Sequence, residues 1–103
     1  MTGIKVKLDK ERIFKFNHRQ LAMFEEKSGK SFAAFQETEH PFLNDVFCLL
    51  WAGLVHEDPG LTVDHVIDLI DEYGDLEELM EAAGEAVISA FEGKPGKRVK
   101  AGK

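Results

Sequence analysis

Histidines and carboxylates are the residues of this chain whose types could carry chemistry. His56-Glu57-Asp58 comes closest to a metal-binding sequence. A zinc-binding helix needs two histidines one helical turn apart, with a glutamate beside the first. The next histidine, His65, follows only after Pro59-Gly60 would have ended a helix. The histidines, which also include His18 and His40, are therefore predicted to be surface or capping residues, and no metal site is expected.

A series of acidic residues is the second candidate for chemistry. It comprises Asp64, Asp68, Asp71, Glu72 and Asp75. A calcium loop needs oxygen ligands at alternate positions, then a glycine and a bidentate glutamate. These carboxylates instead recur with a helical period, so they would lie along one wall and not around a point. We interpret them as the solvated face of a helix.

Nucleophilic and phosphate-binding patterns are missing from the sequence. The lone cysteine, Cys48, lies within an apolar stretch, where cysteine usually acts as a small hydrophobic residue. No glycine-rich phosphate loop and no nucleophile motif occurs. The sequence predicts a protein that is not an enzyme, with no catalytic residues and no cofactor. A single cysteine and an N-terminus without a secretory apolar run favour a cytoplasmic location.

The element that must position everything else is the stretch from Asn44 to Glu57, NDVFCLLWAGLVHE. It is predicted to be one helix, apolar on nearly every side and ended by Asp58-Pro59-Gly60. A helix without a polar face must be covered by other elements or by another subunit. It is shorter than the roughly 20 apolar residues that span a bilayer, so no membrane segment is expected.

The N-terminal residues alternate between apolar and polar side chains. Residues 4–8 and 12–16 each show this period of two, with Phe14 and Phe16 on the apolar side of the second segment. Such alternation predicts two half-buried strands of a β-hairpin. Because two strands alone are barely stable, helices are expected to cover their apolar face.

Capping residues predict where the remaining helices begin and end. Asn17, with Gln20 in a capping-box position, begins the first helix, and Gly29 ends it. Ser31 caps a short helix, and Thr62 caps one that ends at Gly74. Asp75 caps the last helix, whose predicted core stripe is Leu76, Leu79, Met80, Ala83, Val87 and Ala90. The predicted fold is α+β, an N-terminal β-hairpin followed by a bundle of about five helices.

Charge divides the chain into a domain and a tail. All 19 acidic residues lie in residues 1–92, against 8 of the 13 basic ones, and residues 93–103 hold the other 5. We therefore predict a single domain over residues 1–92 and a flexible basic tail over residues 93–103. The acidic domain argues against broad nucleic-acid binding, and the tail has no aromatic residue to stack on bases.

Apolar residues exceed what one small core is expected to absorb. Large apolar side chains beyond that limit mark surfaces that bind other proteins. The predicted protein-binding residues are Phe47, Trp51, Leu54, Ile88 and Phe91. The alternative is that these residues are all internal core.

Several segments resemble small tail assembly chaperones of long-tailed phages, prophages and gene transfer agents. They are IKVKLDKERIFKF, LAMFEEKSGKSF, LLWAGLVHEDPGLTVDHVIDLIDEYG and DLEELMEAAGEAV, and together they cover roughly residues 4–92. The resemblance implies a non-enzymatic protein of the host cytoplasm that binds the tape-measure protein, keeps it soluble and helps recruit tail-tube subunits. It also implies self-association into a homo-oligomer.

Two other functions remain open from the sequence. One is a minor structural tail or connector protein, which would persist in the finished virion. The other is a small nucleic-acid-binding regulator that uses the basic tail, whose five cations could contact phosphates.

Overall fold

The computed structural model describes residues 3–92, with side chains through residue 90. Its elements are β1 (Ile4–Lys7), β2 (Glu11–Phe14), α1 (His18–Ser28), α2 (Phe32–Glu37), α3 (Leu43–Leu54), α4 (Val63–Tyr73) and α5 (Leu76–Glu92). This order confirms the predicted α+β fold of a hairpin followed by five helices. The predicted basic tail, residues 93–103, lies outside the described residues.

The two strands form an antiparallel hairpin in which Ile4 is opposite Phe14 and Lys7 is opposite Glu11. β2 ends two residues earlier than predicted. The Lys15 N–H donates to the carbonyl oxygen of Gly53 in α3 at 3.0 Å, so the chain leaves the strand ladder there to pair with a helix end. Phe16 nevertheless remains buried beside Phe14, as the alternation predicted.

Helix α3 is the centre of the molecule. It contacts α1, α4, α5 and β2, and nine of its twelve residues are buried, which confirms that other elements enclose it. The helix ends at Leu54, earlier than predicted, because the following polar residues turn toward the hairpin. Gly53 permits the hairpin to pack closely against the end of α3, because a Cβ at this position would lie 2.5 Å from Cζ of Phe16.

Most of the predicted helix caps are present. Side-chain oxygens of Asn17, Ser31 and Thr62 each accept a hydrogen bond from the backbone N–H three residues on, and Gly29 adopts a left-handed φ of 77°. The predicted capping box at α1 is only half formed. The Gln20 side chain is buried and its Oε1 has no hydrogen-bond partner, so it does not return a bond to the cap.

Helix α5 packs on the hairpin and on α3. Leu79, Ala83 and Val87 of its predicted core stripe are buried. Met80 is a correction to that stripe, because 39% of it is exposed. Met80 directly follows the buried Leu79, and its side chain lies at the edge of a cleft between α2, α3 and α5. Within residues 3–92, no helix is both long and apolar enough to cross a membrane.

Candidate functional site

The sequence that most resembled a metal site serves to hold the hairpin. His56 Nε2 lies 2.9 Å from the carbonyl oxygen of Ile13, and Glu57 Oε1 accepts a hydrogen bond from the Ile13 N–H at 3.3 Å. Both side chains therefore satisfy the outward-facing backbone groups of β2. This arrangement explains why His56 and Glu57 follow each other directly after α3.

The acidic residues of α4 point into solvent. Asp64, Asp68, Asp71 and Glu72 are all exposed. Among the residues that the structure describes, no three histidine, cysteine or acidic side chains are grouped so that they could hold a metal ion. The α4 carboxylates therefore form a solvated helix face in the structure.

One ion pair does change the pKa of its carboxyl group. The buried Arg12 guanidinium donates to both oxygens of Asp9, at 2.8 and 3.0 Å, and lowers the pKa of Asp9 from its usual 3.8. The same bonds raise the pKa of Arg12. Arg12 lies on the inward side of β2 with Phe14, so the pair is what allows a cation to be buried under the hairpin.

The single thiol is shielded. Cys48 is 7% exposed within α3, and burial, with a smaller contribution from the charge of Asp45, raises its pKa above 9.0. A raised pKa lowers the thiolate fraction, and the thiolate is the reactive species. The site therefore disfavours nucleophilic chemistry.

The most distinctive surface feature is an apolar groove between α2, α3 and α5, with a volume of about 230 Å³. Its floor is formed by Val46, Leu49 and Leu50 of α3, which belong to the buried core. The groove is thus continuous with the core below and open to solvent above. A concave, mostly apolar surface of this kind suits the apolar face of a partner.

Helix α2 forms one wall through Phe32 and Phe35. These two rings pack edge-on against Phe24 of α1, with ring centroids 6.1 and 5.2 Å away. The Phe32 N–H also donates to Glu25 at 2.8 Å. No residue of α2 is buried, so this wall is held by its two rings and a few polar contacts.

Helix α5 forms the other wall and contributes Met80, Gly84, Val87 and Ile88. Ile88 is 55% exposed and lies next to Val87, which belongs to the core. A Cβ added at Gly84 would meet no atom within 4 Å. Glycine in a helix interior costs about 1 kcal/mol relative to alanine, and no contact within the described fold requires it here.

The solvent side of α5 carries a line of carboxylates beside the groove. Glu77, Glu81 and Glu85 are exposed and follow one another at four-residue intervals. None of them forms an ion pair within residues 3–92. None of the three lines the groove, but each lies three residues before a groove residue of α5, so that one helical turn separates them. We call this line of carboxylates the acidic rim of the groove.

A second exposed apolar pair lies at the start of α3. Phe42 is 71% exposed and Leu43 59% exposed, and the Lys30 ammonium lies 5.6 Å from the Phe42 ring centroid. Phe35, which lines the groove, also lines the small cleft beside Phe42. Phe35 therefore lies between the groove and this cleft and contributes to both.

The four predicted protein-binding residues whose side chains the structure describes do not lie together on one surface. Ile88 lines the groove, Phe47 is partly buried, and Trp51 and Leu54 belong to the core. The side chain of Phe91 lies outside the described part of the chain. Whether any of the five contacts a partner stays a prediction.

Ile88 is the one residue of the groove lining that the sequence analysis predicts to bind a partner, and the ten others include Phe32, Phe35, Met80 and Gly84. Gly84 could have been identified from the sequence, because it is a glycine in the middle of the long helix that Asp75 caps. The aromatic pair of α2 carried no such signal, because its position beside α5 depends on the tertiary fold.

Comparison of the chain with protein-family models, curated proteins and solved structures yields no match. The resemblance of its segments to tail assembly chaperones therefore stays a prediction from sequence.

Proposed function

We propose that this chain is a non-enzymatic tail assembly chaperone of a long-tailed phage or prophage. In this proposal it works in the host cytoplasm, binds the tape-measure protein and helps recruit tail-tube subunits. The observation that carries the proposal is the open apolar groove between α2, α3 and α5. The segment resemblance over residues 4–92 supports the choice of partner.

The physical role follows from the groove. A tape-measure protein is a long, largely helical chain with apolar stretches that would aggregate if left uncovered. A groove that takes the apolar face of one helix covers such a stretch without requiring a fixed sequence. The net charge of −6 would keep the complexes dispersed by mutual repulsion. Self-association of the chaperone would let several copies cover a long partner.

The test is co-expression of this chain with the tape-measure protein from its own genome. Pull-down, the soluble fraction of the tape-measure protein and light-scattering mass are measured. We expect a soluble complex of defined mass, with the tape-measure protein insoluble when expressed alone. No complex and no change in solubility would contradict the proposal.

Two matched variants distinguish specific binding in the groove from non-specific association through exposed apolar side chains. Ile88 and Tyr73 are both just over half exposed, at 55% and 56%, but only Ile88 lines the groove. Ile88→Lys places a charge in the groove and is expected to abolish the complex. Tyr73→Lys changes the surface of α4 and is expected to leave the complex intact.

The other two functions give different outcomes in the same system. A minor tail or connector protein would remain in purified virions, whereas a chaperone leaves before the tail is complete. A nucleic-acid-binding regulator would be retained on DNA in a salt-dependent way, and deletion of residues 93–103 would abolish that retention.

A further inference from the structure

We propose that the groove is built for one class of partner, an amphipathic α-helix whose apolar stripe is flanked by lysine or arginine. In this arrangement the partner helix crosses α5 over Gly84, and the partner's cations face Glu77, Glu81 and Glu85 of α5. This inference rests on the proposed function, because it states which segments of the tape-measure protein the chain would bind. It makes a claim about chemistry that can be tested without that partner.

Gly84 indicates that the missing element is a helix that approaches closely. Two other glycines at or beside helix ends are required by contacts within the fold: a Cβ at Gly53 would collide with the Phe16 ring, and one at Gly74 would lie 2.9 Å from Leu8. Above Gly84 there is only open space, within the lining of the groove. Glycine is the residue that lets another backbone approach a helix, and an external helix would supply the neighbour that the fold lacks.

The acidic rim indicates the charge of that helix. Glu77, Glu81 and Glu85 lie at four-residue intervals, and Glu85 is three residues before Ile88. Like charges one turn apart on a helix repel each other, so this line is unfavourable in the free protein. Cations that flank an apolar stripe would relieve the repulsion while the stripe enters the groove. Complementary charge at the edge of an interface chiefly sets the choice of partner and the association rate.

The described part of the chain does not itself offer such a helix. The apolar side of α1 is used against α3. The exposed pair Phe42 and Leu43 has a cation beside it, Lys30, but that ammonium already lies 3.8 Å from the Asp45 carboxylate. The basic residues 93–103 include three glycines and a proline and only one large aliphatic residue, Val99. A separate partner therefore fits the groove better than a second copy or the chain's own tail.

The test uses two synthetic helical peptides with the same leucine and alanine stripe. One carries lysine on both flanks and the other carries glutamate. Each is titrated against the full chain by fluorescence anisotropy at low and at physiological salt. We expect the lysine peptide to bind at least about tenfold more tightly, with the difference shrinking as salt screens the rim.

Substitutions of this chain assign the binding to the groove. A Cβ at position 84 meets no atom within 4 Å, so Gly84→Leu starts from open space in the groove. Its melting temperature should therefore not fall, while lysine-peptide affinity drops at least about tenfold. The double variant Glu81→Lys, Glu85→Lys should reverse the preference toward the glutamate peptide. The matched control Asp68→Lys, Glu72→Lys alters an equal number of charges on α4 and should leave the order of the two peptides unchanged.

Several results would overturn the inference. They are equal affinity for both peptides, unchanged binding by a folded Gly84→Leu variant, and binding that occurs only after residues 93–103 are deleted. The last result would assign the groove to the chain's own tail. An oligomer in the unbound chain that Gly84→Leu dissociates would assign it to a second copy.

The same variants keep this inference distinct from the proposed function. If the tape-measure complex forms but withstands Gly84→Leu and the rim reversal, the chaperone role stands and the stated chemistry of the groove is wrong. If the lysine peptide binds as expected but no tape-measure complex forms, the groove chemistry stands and the chaperone role is wrong.

Discussion

The indole Nε1 of Trp51 donates a 2.7 Å hydrogen bond to the backbone carbonyl oxygen of Leu61. Both residues are buried, and the bond spans the turn that separates α3 from α4. The Lys27 ammonium lies 5.0 Å from the centroid of the Trp51 ring and covers its outer side. Trp51 therefore fixes the path of the chain between two helices, in addition to filling the core.

Truncation of Trp51 is expected to destabilise the domain strongly. Trp51→Ala should lower the free energy of unfolding by about 3–5 kcal/mol through loss of buried contacts. Trp51→Phe keeps an aromatic ring but leaves the Leu61 carbonyl unpaired, at a cost of about 1–3 kcal/mol. Urea unfolding followed by circular dichroism measures both. A Trp51→Ala variant as stable as the parent would contradict the core role.

Two glycine substitutions are expected to act in opposite directions. Gly53→Ala would place a Cβ 2.5 Å from the Phe16 ring and 2.9 Å from Phe14, which should cost about 1–3 kcal/mol. Gly84→Ala meets no atom within 4 Å and should stabilise the domain by up to about 1 kcal/mol. Thermal unfolding of the two variants side by side is the measurement. If both substitutions changed the melting temperature equally and in the same direction, the described surroundings of Gly53 and Gly84 would be wrong.

The Asp9–Arg12 pair is expected to make stability depend on pH in the acid range. The pKa of Asp9 is lowered in the folded chain, so the pair stabilises the fold above the unfolded pKa, near 3.8. That contribution is lost as pH falls through the lower, folded value. Asp9→Asn, which lacks it, should be less stable at neutral pH by about 1–2 kcal/mol, since Asp9 is partly exposed.

The measurement for this pair is urea unfolding of both proteins at neutral pH and at several values below about pH 4. The stability gap between parent and Asp9→Asn should narrow as the parent protonates Asp9. A gap that stays constant down to strongly acid pH would show that Arg12 does not lower the pKa of Asp9.

The Cys48 thiol is expected to be unreactive in the native state. It is 7% exposed and its pKa is raised by burial. A disulfide reagent at mildly alkaline pH should label it far more slowly than a free thiol, and at the full rate in denaturant. Rapid labelling of the folded protein would mean that α3 opens locally or is not enclosed as described.

Local signals were read correctly from the sequence because the groups involved lie within one turn of each other. Asn17, Ser31 and Thr62 each bond to a backbone N–H three residues away, and Gly29 takes the left-handed conformation that glycine favours. The alternation of the hairpin likewise put Phe14 inside. These features need no knowledge of distant contacts.

Errors arose where distant groups decide the outcome. The apolar pattern predicts that α3 extends to Glu57, but the helix ends at Leu54, and His56 and Glu57 bond to Ile13, 43 and 44 residues earlier in the chain. The helical spacing of the core stripe predicts that Met80 is buried, but Met80 lines the open groove between α5 and α2 and is 39% exposed. The groove itself joins Phe35 to Ile88, and periodicity within single elements contains no information about that pairing.

The short helix α2 is held less firmly than the other two sides of the groove, which belong to helices with buried residues. A wall with no buried residue, held chiefly by Phe32 and Phe35, can shift at lower free energy than a core helix. Met80 opposite it has a flexible side chain that adapts to irregular shapes. Such a site discriminates weakly among anchors of different size. Under the proposed chaperone function, one gene product would then bind many unlike stretches along a single long partner, with copy number set by the length of that partner.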